Sequence, residues 1–130
     1  MKRTPLKRTP MKRSPRKAGP MPTEVYETVM RRAQGRCEAG IEGVCTGAPE
    51  DWHHRQRRMP GNDQVQNGLA LCRACHHHIT FISPALGKER GLVVSAFAHD
   101  YLDRPYYSRG HWWLLAEDGT KAVTTGPEVA

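Results

Sequence analysis

Long apolar runs are missing from this 130-residue chain: nothing approaches the ~18 consecutive apolar residues that a membrane-spanning helix needs. The N-terminus also lacks the apolar core of a secretory signal, so the expected location is a reducing cytoplasm, with no membrane partner. Acidic residues are absent from positions 1 to 20, which excludes charge compensation within that segment. A hydrophobic fraction of 38% is modest, and small domains with limited apolar burial commonly need a disulfide or a bound metal as a staple. Cysteine is scarce too, at four residues, yet four suffice for either staple.

The first twenty residues do contain Lys2, Arg3, Lys7, Arg8, Lys12, Arg13, Arg16 and Lys17. The rest of the chain holds 12 Lys and Arg against 13 Asp and Glu, so the formal net charge of +7 comes from this arm. Its cations recur every five residues, as Lys2-Arg3-Thr4-Pro5, Lys7-Arg8-Thr9-Pro10 and Lys12-Arg13-Ser14-Pro15. Proline at this frequency forbids a helix, and mutual repulsion favours extended, solvated backbone. Residues 1 to 22 are therefore expected to be a disordered basic tail. Such an arm suits an electrostatic tether that binds DNA phosphates by releasing their counterions, and a solubilising tail is the plainer alternative.

Folded structure is expected over residues 23 to 120, followed by a flexible C-terminus over 121 to 130. Thr23 can cap a helix whose apolar positions Val25, Tyr26, Val29 and Met30 follow helical spacing and which Gly35 ends. Trp52-His53-His54-Arg55 and Leu69-Ala70-Leu71 read as two strands around the turn-rich segment from Met59 to Asp63. A helix from Ala74 to Ile82 follows, terminated by Pro84. Downstream, Leu92-Val93-Val94 and Trp112-Trp113-Leu114-Leu115, divided by Tyr106-Tyr107, read as two further extended segments covering the core. The fold class is α+β, with a ββα unit over about residues 50 to 84.

A reducing compartment favours zinc over disulfides for the four cysteines. Tetrahedral zinc requires two chain turns brought together. Cys72 and Cys75 form a tight Cys-x2-Cys turn, and Cys37 and Cys45 close the site from a glycine-containing loop of seven intervening residues. That loose second pair leaves open an alternative set in which His77 or His78 supplies a ligand.

Between and beside these cysteines lie His53-His54, then Asn67, then His76 directly after Cys75. Twelve residues separate His54 from Asn67, and eight separate Asn67 from His76. These spacings and the segment NGLALCRACH resemble the HNH endonucleases, which carry a ββα-metal fold. The longer run through CHHHITFISP, GLVV and HWWLLAEDG is similar to small HNH proteins of tailed phages, which often begin with a tail rich in lysine, arginine and proline. The resemblance implies that His53 and His76 bind a catalytic divalent ion (Mg²⁺, Mn²⁺, Ni²⁺ or Zn²⁺), beside a structural Zn²⁺ on the cysteines. It also implies that His54 is the general base and that Asn67 ties down the histidine-bearing loop. Phosphodiester hydrolysis needs that pairing of a base with a hard cation.

Two departures from the family pattern stand out. Thr80 occupies a position where some relatives carry a further histidine. His53 and His54, as neighbours in a strand, face opposite ways, so both reach one site only if the strand ends or distorts there. Arg55, Arg57 and Arg58 follow the base directly and are expected to clamp DNA phosphates, with a plain solvated loop as the alternative.

The implied activity is metal-dependent cleavage of DNA, by nicking or double-strand scission, with a place in phage DNA packaging or recombination and packaging proteins as partners. No segment resembles a recognition helix with base-reading side chains, and the oligomeric state is left open. Two other classes compete with this reading: a catalytically inactive, zinc-stapled DNA-binding accessory, and an interaction module whose tail docks an acidic partner.

Overall fold

The computed structural model describes residues 19 to 127. The tail expectations for Lys2, Arg3, Lys7, Arg8, Lys12 and Arg13 lie outside the described residues.

Helix α1 spans Thr23–Arg32. Thr23 is its first helical residue, and the cap position falls to Pro22, which offers no side-chain bond. The chain leaves the helix through two left-handed residues, Gln34 at φ 52° and Gly35 at φ 76°.

Strands β1 (Asp51–His54) and β2 (Gly68–Leu71) form an antiparallel hairpin, with Asp51 opposite Leu71, Trp52 opposite Ala70, His53 opposite Leu69 and His54 opposite Gly68. All four residues of β2 are buried, because both faces of the hairpin are covered. Strand alternation sends Trp52 and Ala70 toward α1, where they pack with Val29, Met30, Ala33 and Val65. On the same face the Trp52 indole covers Gly68 so closely that a Cβ there would come within 2.1 Å of it. Leu69 and Leu71 point the other way, into a larger core with Cys37, Cys72, Cys75, Ile79, Leu92 and Tyr106.

Helix α2 covers that second face as Arg73–His77. The single helix expected to run to Ile82 instead changes pitch. His78–Ile82 is a π-turn, closed by the Ser83 amide donating to the His78 carbonyl at 2.7 Å. Pro84 then opens a further helix, α3 (Pro84–Glu89), from the first helical position, where its missing N–H has no cost.

The C-terminal half corrects three expectations. Leu92 to Val94 is no strand, and only Val94 makes a parallel bridge, to Gln56. Tyr106 and Tyr107 do not divide two strands but belong to one: β3 (Tyr106–Ser108), β4 (His111–Leu115) and β5 (Lys121–Thr124) form an antiparallel meander. Residues 121 to 124, assigned to a flexible end, are thus paired along β4, with Val123 opposite Trp113 and Ala122 opposite Leu114.

A buried ion pair joins these layers. Arg32 donates to both carboxylate oxygens of Glu38, at 2.9 and 2.8 Å, and also to the carbonyls of Val65 and Gly68. Glu38 further accepts from the Ala70 amide of β2 at 2.9 Å and from Lys121 of β5 at 3.2 Å. Burial alone would raise the Glu38 pKa, but the Arg32 and Lys121 cations outweigh it and hold the carboxyl below the usual range. Among the described residues no helix is long and apolar enough to cross a membrane.

Candidate functional site

Four thiols, two from each of two distant stretches of the chain, meet where the loop after α1, the end of β2 and the first turn of α2 converge. The Sγ atoms of Cys37, Cys45, Cys72 and Cys75 all lie within 4.8 Å of one another, and none is in a disulfide. Thiolates at ~2.3 Å around a tetrahedral zinc ion sit ~3.8 Å apart, so small shifts let this cluster hold a metal ion such as zinc. The Cys72 sulfur already accepts two backbone N–H groups, from Cys75 at 3.3 Å and Thr46 at 3.5 Å. A hydrogen bond from the Cys75 thiol draws Cys37 down to a pKa of about 4 despite burial, and the same bond pushes Cys75 up. Protons shared among sulfurs in this way are what a cation displaces on binding. Neither His77 nor His78 joins the cluster.

Arg109, which sequence reading missed, braces this knuckle. Its guanidinium donates to the Cys37 carbonyl at 2.6 Å and approaches Cys45 Sγ at 3.9 Å. Gly40 makes the room, since a Cβ at that position would stand 2.7 Å from the guanidinium carbon.

Beside the thiols, the hairpin and α2 bring two imidazoles together. The rings of His53 and His76 make an edge contact, with centroids 5.0 Å apart. His53 Nε2 is 2.7 Å from the Leu92 carbonyl, which only accepts, so this nitrogen carries the proton. Burial drives the His53 pKa down to about 4, leaving a neutral ring with its lone pair on Nδ1. His76 Nδ1 faces the Asp51 carboxylate at 3.1 Å, which in the neutral ring directs the lone pair to Nε2. Asp51 is a further residue that sequence reading passed over. The signal was present, because Asp51 stands two positions before His53 and so on the same strand face.

His54 is not part of that pair. Strand alternation persists to the last residue of β1, so its ring lies on the α1 face, in edge contact with Trp52 at 4.5 Å. There His54 Nε2 donates to Asp63 Oδ1 at 2.7 Å, and Asp63 is also held by Arg58, at 3.2 and 3.1 Å. Burial would raise the Asp63 pKa, but its bonds to Arg58 and His54 lower it.

Asn67 is fully buried in the short 3₁₀ turn before β2 and clasps the loop after His54. Its Oδ1 accepts from the Gln56 amide at 2.8 Å, and its Nδ2 donates to the carbonyls of Gln56 and Asn62. Of the three arginines expected at a DNA surface, Arg55 is placed inside the protein at 1% exposure. It directs four of its five N–H donors to the carbonyls of Gly91, Gln66, Arg104 and Pro105, and its burial keeps the guanidinium from a phosphate in solvent. Arg57 and Arg58 stay exposed on the loop.

No protein-family model matches this chain, and no curated protein or solved structure matches it either.

Proposed function

We propose that this protein is a metal-dependent DNA endonuclease of the HNH type, in which β1, β2 and α2 form a ββα-metal unit stapled by a structural zinc on Cys37, Cys45, Cys72 and Cys75. The observation that carries this reading is the His53–His76 pair. Two imidazoles from separate elements converge, and each is oriented by a bond through its other nitrogen, as metal-ligating histidines are. His53 Nδ1 and His76 Nε2 would hold the catalytic ion. Two imidazole donors suit Zn²⁺ or Ni²⁺ better than Mg²⁺ or Mn²⁺. When bound, such an ion neutralises charge developing at the scissile phosphate.

His54 is the base in this reading. Asp63 fixes its ring and leaves Nδ1 to take a proton from water. Because His54 and the ion-binding pair occupy opposite faces of β1, they can address one phosphodiester only around the strand's end, where pairing stops at His54 and Gly68. Asn67 keeps the loop beyond that end in place. Arg57, Arg58 and the basic tail supply phosphate contacts without base specificity. A cytoplasmic role in phage DNA packaging or recombination, with packaging proteins as partners, goes with the resemblance and not with any contact described here.

Plasmid nicking across Mg²⁺, Mn²⁺, Ni²⁺ and Zn²⁺ tests the proposal. Wild-type protein should nick, and His53→Ala and His76→Ala should abolish nicking while retaining structural zinc. His54→Ala should lose at least the ~100-fold typical of a general base. Plasmid binding without nicking under every ion would replace the enzyme with a DNA-binding accessory.

A further inference from the structure

The four sulfurs of the knuckle are not equally sheltered. Cys37, Cys72 and Cys75 are at 0% exposure, packed in the core with Leu69, Leu71 and Ile79, whereas Cys45 is half-buried, on the loop between α1 and β1. The exposed Arg109 guanidinium stands 3.9 Å from Cys45 Sγ, and a cation beside a sulfur favours its thiolate. Burial and the charge of Cys37 work the other way and raise the Cys45 pKa, so zinc ligation is what keeps this sulfur deprotonated. A reachable thiolate with three further sulfurs within 4.8 Å meets both requirements of a redox-sensitive cysteine, an accessible nucleophile and a resolving partner.

What the knuckle supports is the helix that carries His76. Helix α2 has five residues, too few to be stable alone, and its first turn is the Cys-x2-Cys turn. There Cys72 Sγ accepts from the Cys75 amide, and the Cys72 carbonyl accepts from the His76 amide at 3.0 Å. We propose that Cys45 is an oxidation site at which hydrogen peroxide opens the knuckle and so withdraws His76 from His53. The peroxide O–O bond breaks as one oxygen bonds to Cys45 Sγ, and with one proton the products are a sulfenic acid and water. A neighbouring thiolate then attacks the sulfenic sulfur, forming a disulfide and expelling hydroxide, so that two electrons pass from the sulfurs to the peroxide. Two thiolates remain, half the number that a closed tetrahedral zinc site needs. The loss of cutting rests on the nuclease reading, and the oxidation itself does not.

The test exposes the full-length, zinc-loaded protein to hydrogen peroxide with dimedone, which traps sulfenic acids, and follows free zinc with a metallochromic indicator. Peptide mass spectra should place the first dimedone adduct on Cys45. Without dimedone, about one zinc per chain should leave as a disulfide to Cys45 forms, and a thiol reductant supplied with zinc should restore the knuckle. Cys45→His keeps a four-ligand site of three thiolates and one imidazole, and it should retain its zinc over the time in which wild type loses it. A first adduct on Cys37, Cys72 or Cys75, or equal zinc loss from Cys45→His, overturns the proposal, as does wild-type protein that keeps both its thiols and its zinc. The adduct map needs no variant, so it decides the matter even where Cys45→His does not fold. If wild type nicks plasmid, nicking should vanish with the zinc and return with it, and nicking that survives zinc loss overturns the switch while the nuclease reading stands. Oxidation at Cys45 in a protein that never nicks overturns the nuclease reading and leaves the oxidation site.

Discussion

Replacing Glu38 with alanine leaves the Arg32 guanidinium charged, with a side chain only 2% exposed and no carboxylate to meet it. Two charge-assisted bonds of 2.8 and 2.9 Å vanish, and the Ala70 amide of β2 and the Lys121 ammonium lose their acceptor. The carbonyls of Val65 and Gly68 still bind Arg32, but they carry no charge. Breaking a buried pair from one side costs about 3–5 kcal/mol. A domain of this size loses roughly 4–8 °C of midpoint per kcal/mol, so circular dichroism melts should fall by at least about 12 °C. Zinc content measured in parallel separates this loss from damage at neighbouring Cys37. The double variant Arg32→Met/Glu38→Leu removes both charges and should lose much less than the sum of the single variants. A fall below about 4 °C for Glu38→Ala, roughly 1 kcal/mol, would refute the claim that this pair joins the layers.

Metal analysis should find about one tightly held zinc per chain, and Cys72→Ser should lose it together with cooperative unfolding; wild-type melts unchanged by chelation would remove the staple. Arg55→Lys cannot reproduce the fork that reaches four carbonyls, so it should lower the melting midpoint while leaving the salt dependence of DNA affinity alone. The reverse result would return Arg55 to the DNA surface. Asp63 has a folded pKa below its unfolded value of about 3.9, so its stabilisation is present above that value and is lost as pH falls through the lower folded one. Wild-type melting midpoints should therefore drop more steeply below about pH 4 than those of Asp63→Asn, and parallel curves would show that the His54–Asp63–Arg58 contacts carry no linkage.

How legible these features were depends on how local their causes are. The Cys-x2-Cys turn, the strands around residues 52–54 and 69–71, and the helix from Thr23 follow from spacing and alternation within a few residues. The cluster of Cys37 and Cys45 with that turn was accessible through ligand arithmetic, since four thiols in a small domain have few other uses. The opposite facing of His53 and His54 was also readable, because alternation continues to a strand's end unless something interrupts it. Arg55 was not readable. A cation beside two others in a turn-rich loop resembles a solvated one, and its acceptors at Gly91, Arg104 and Pro105 lie 36 to 50 residues away. Arg109 and the Lys121 contact escaped for the same reason, with partners 72 and 83 residues away. The short strands β3 and β5 are made by pairing with β4.

The close seat of the Trp52 indole on Gly68 acts as an alignment pin. A slip of β1 by one residue along β2 would put the Leu69 side chain where the indole requires bare backbone, and it would also turn every β1 side chain to the opposite face. Asp51 and His53 would then turn toward α1, and His54 would replace His53 opposite His76. A glycine with no chemistry of its own thus selects which member of the histidine pair faces α2 and which meets Asp63.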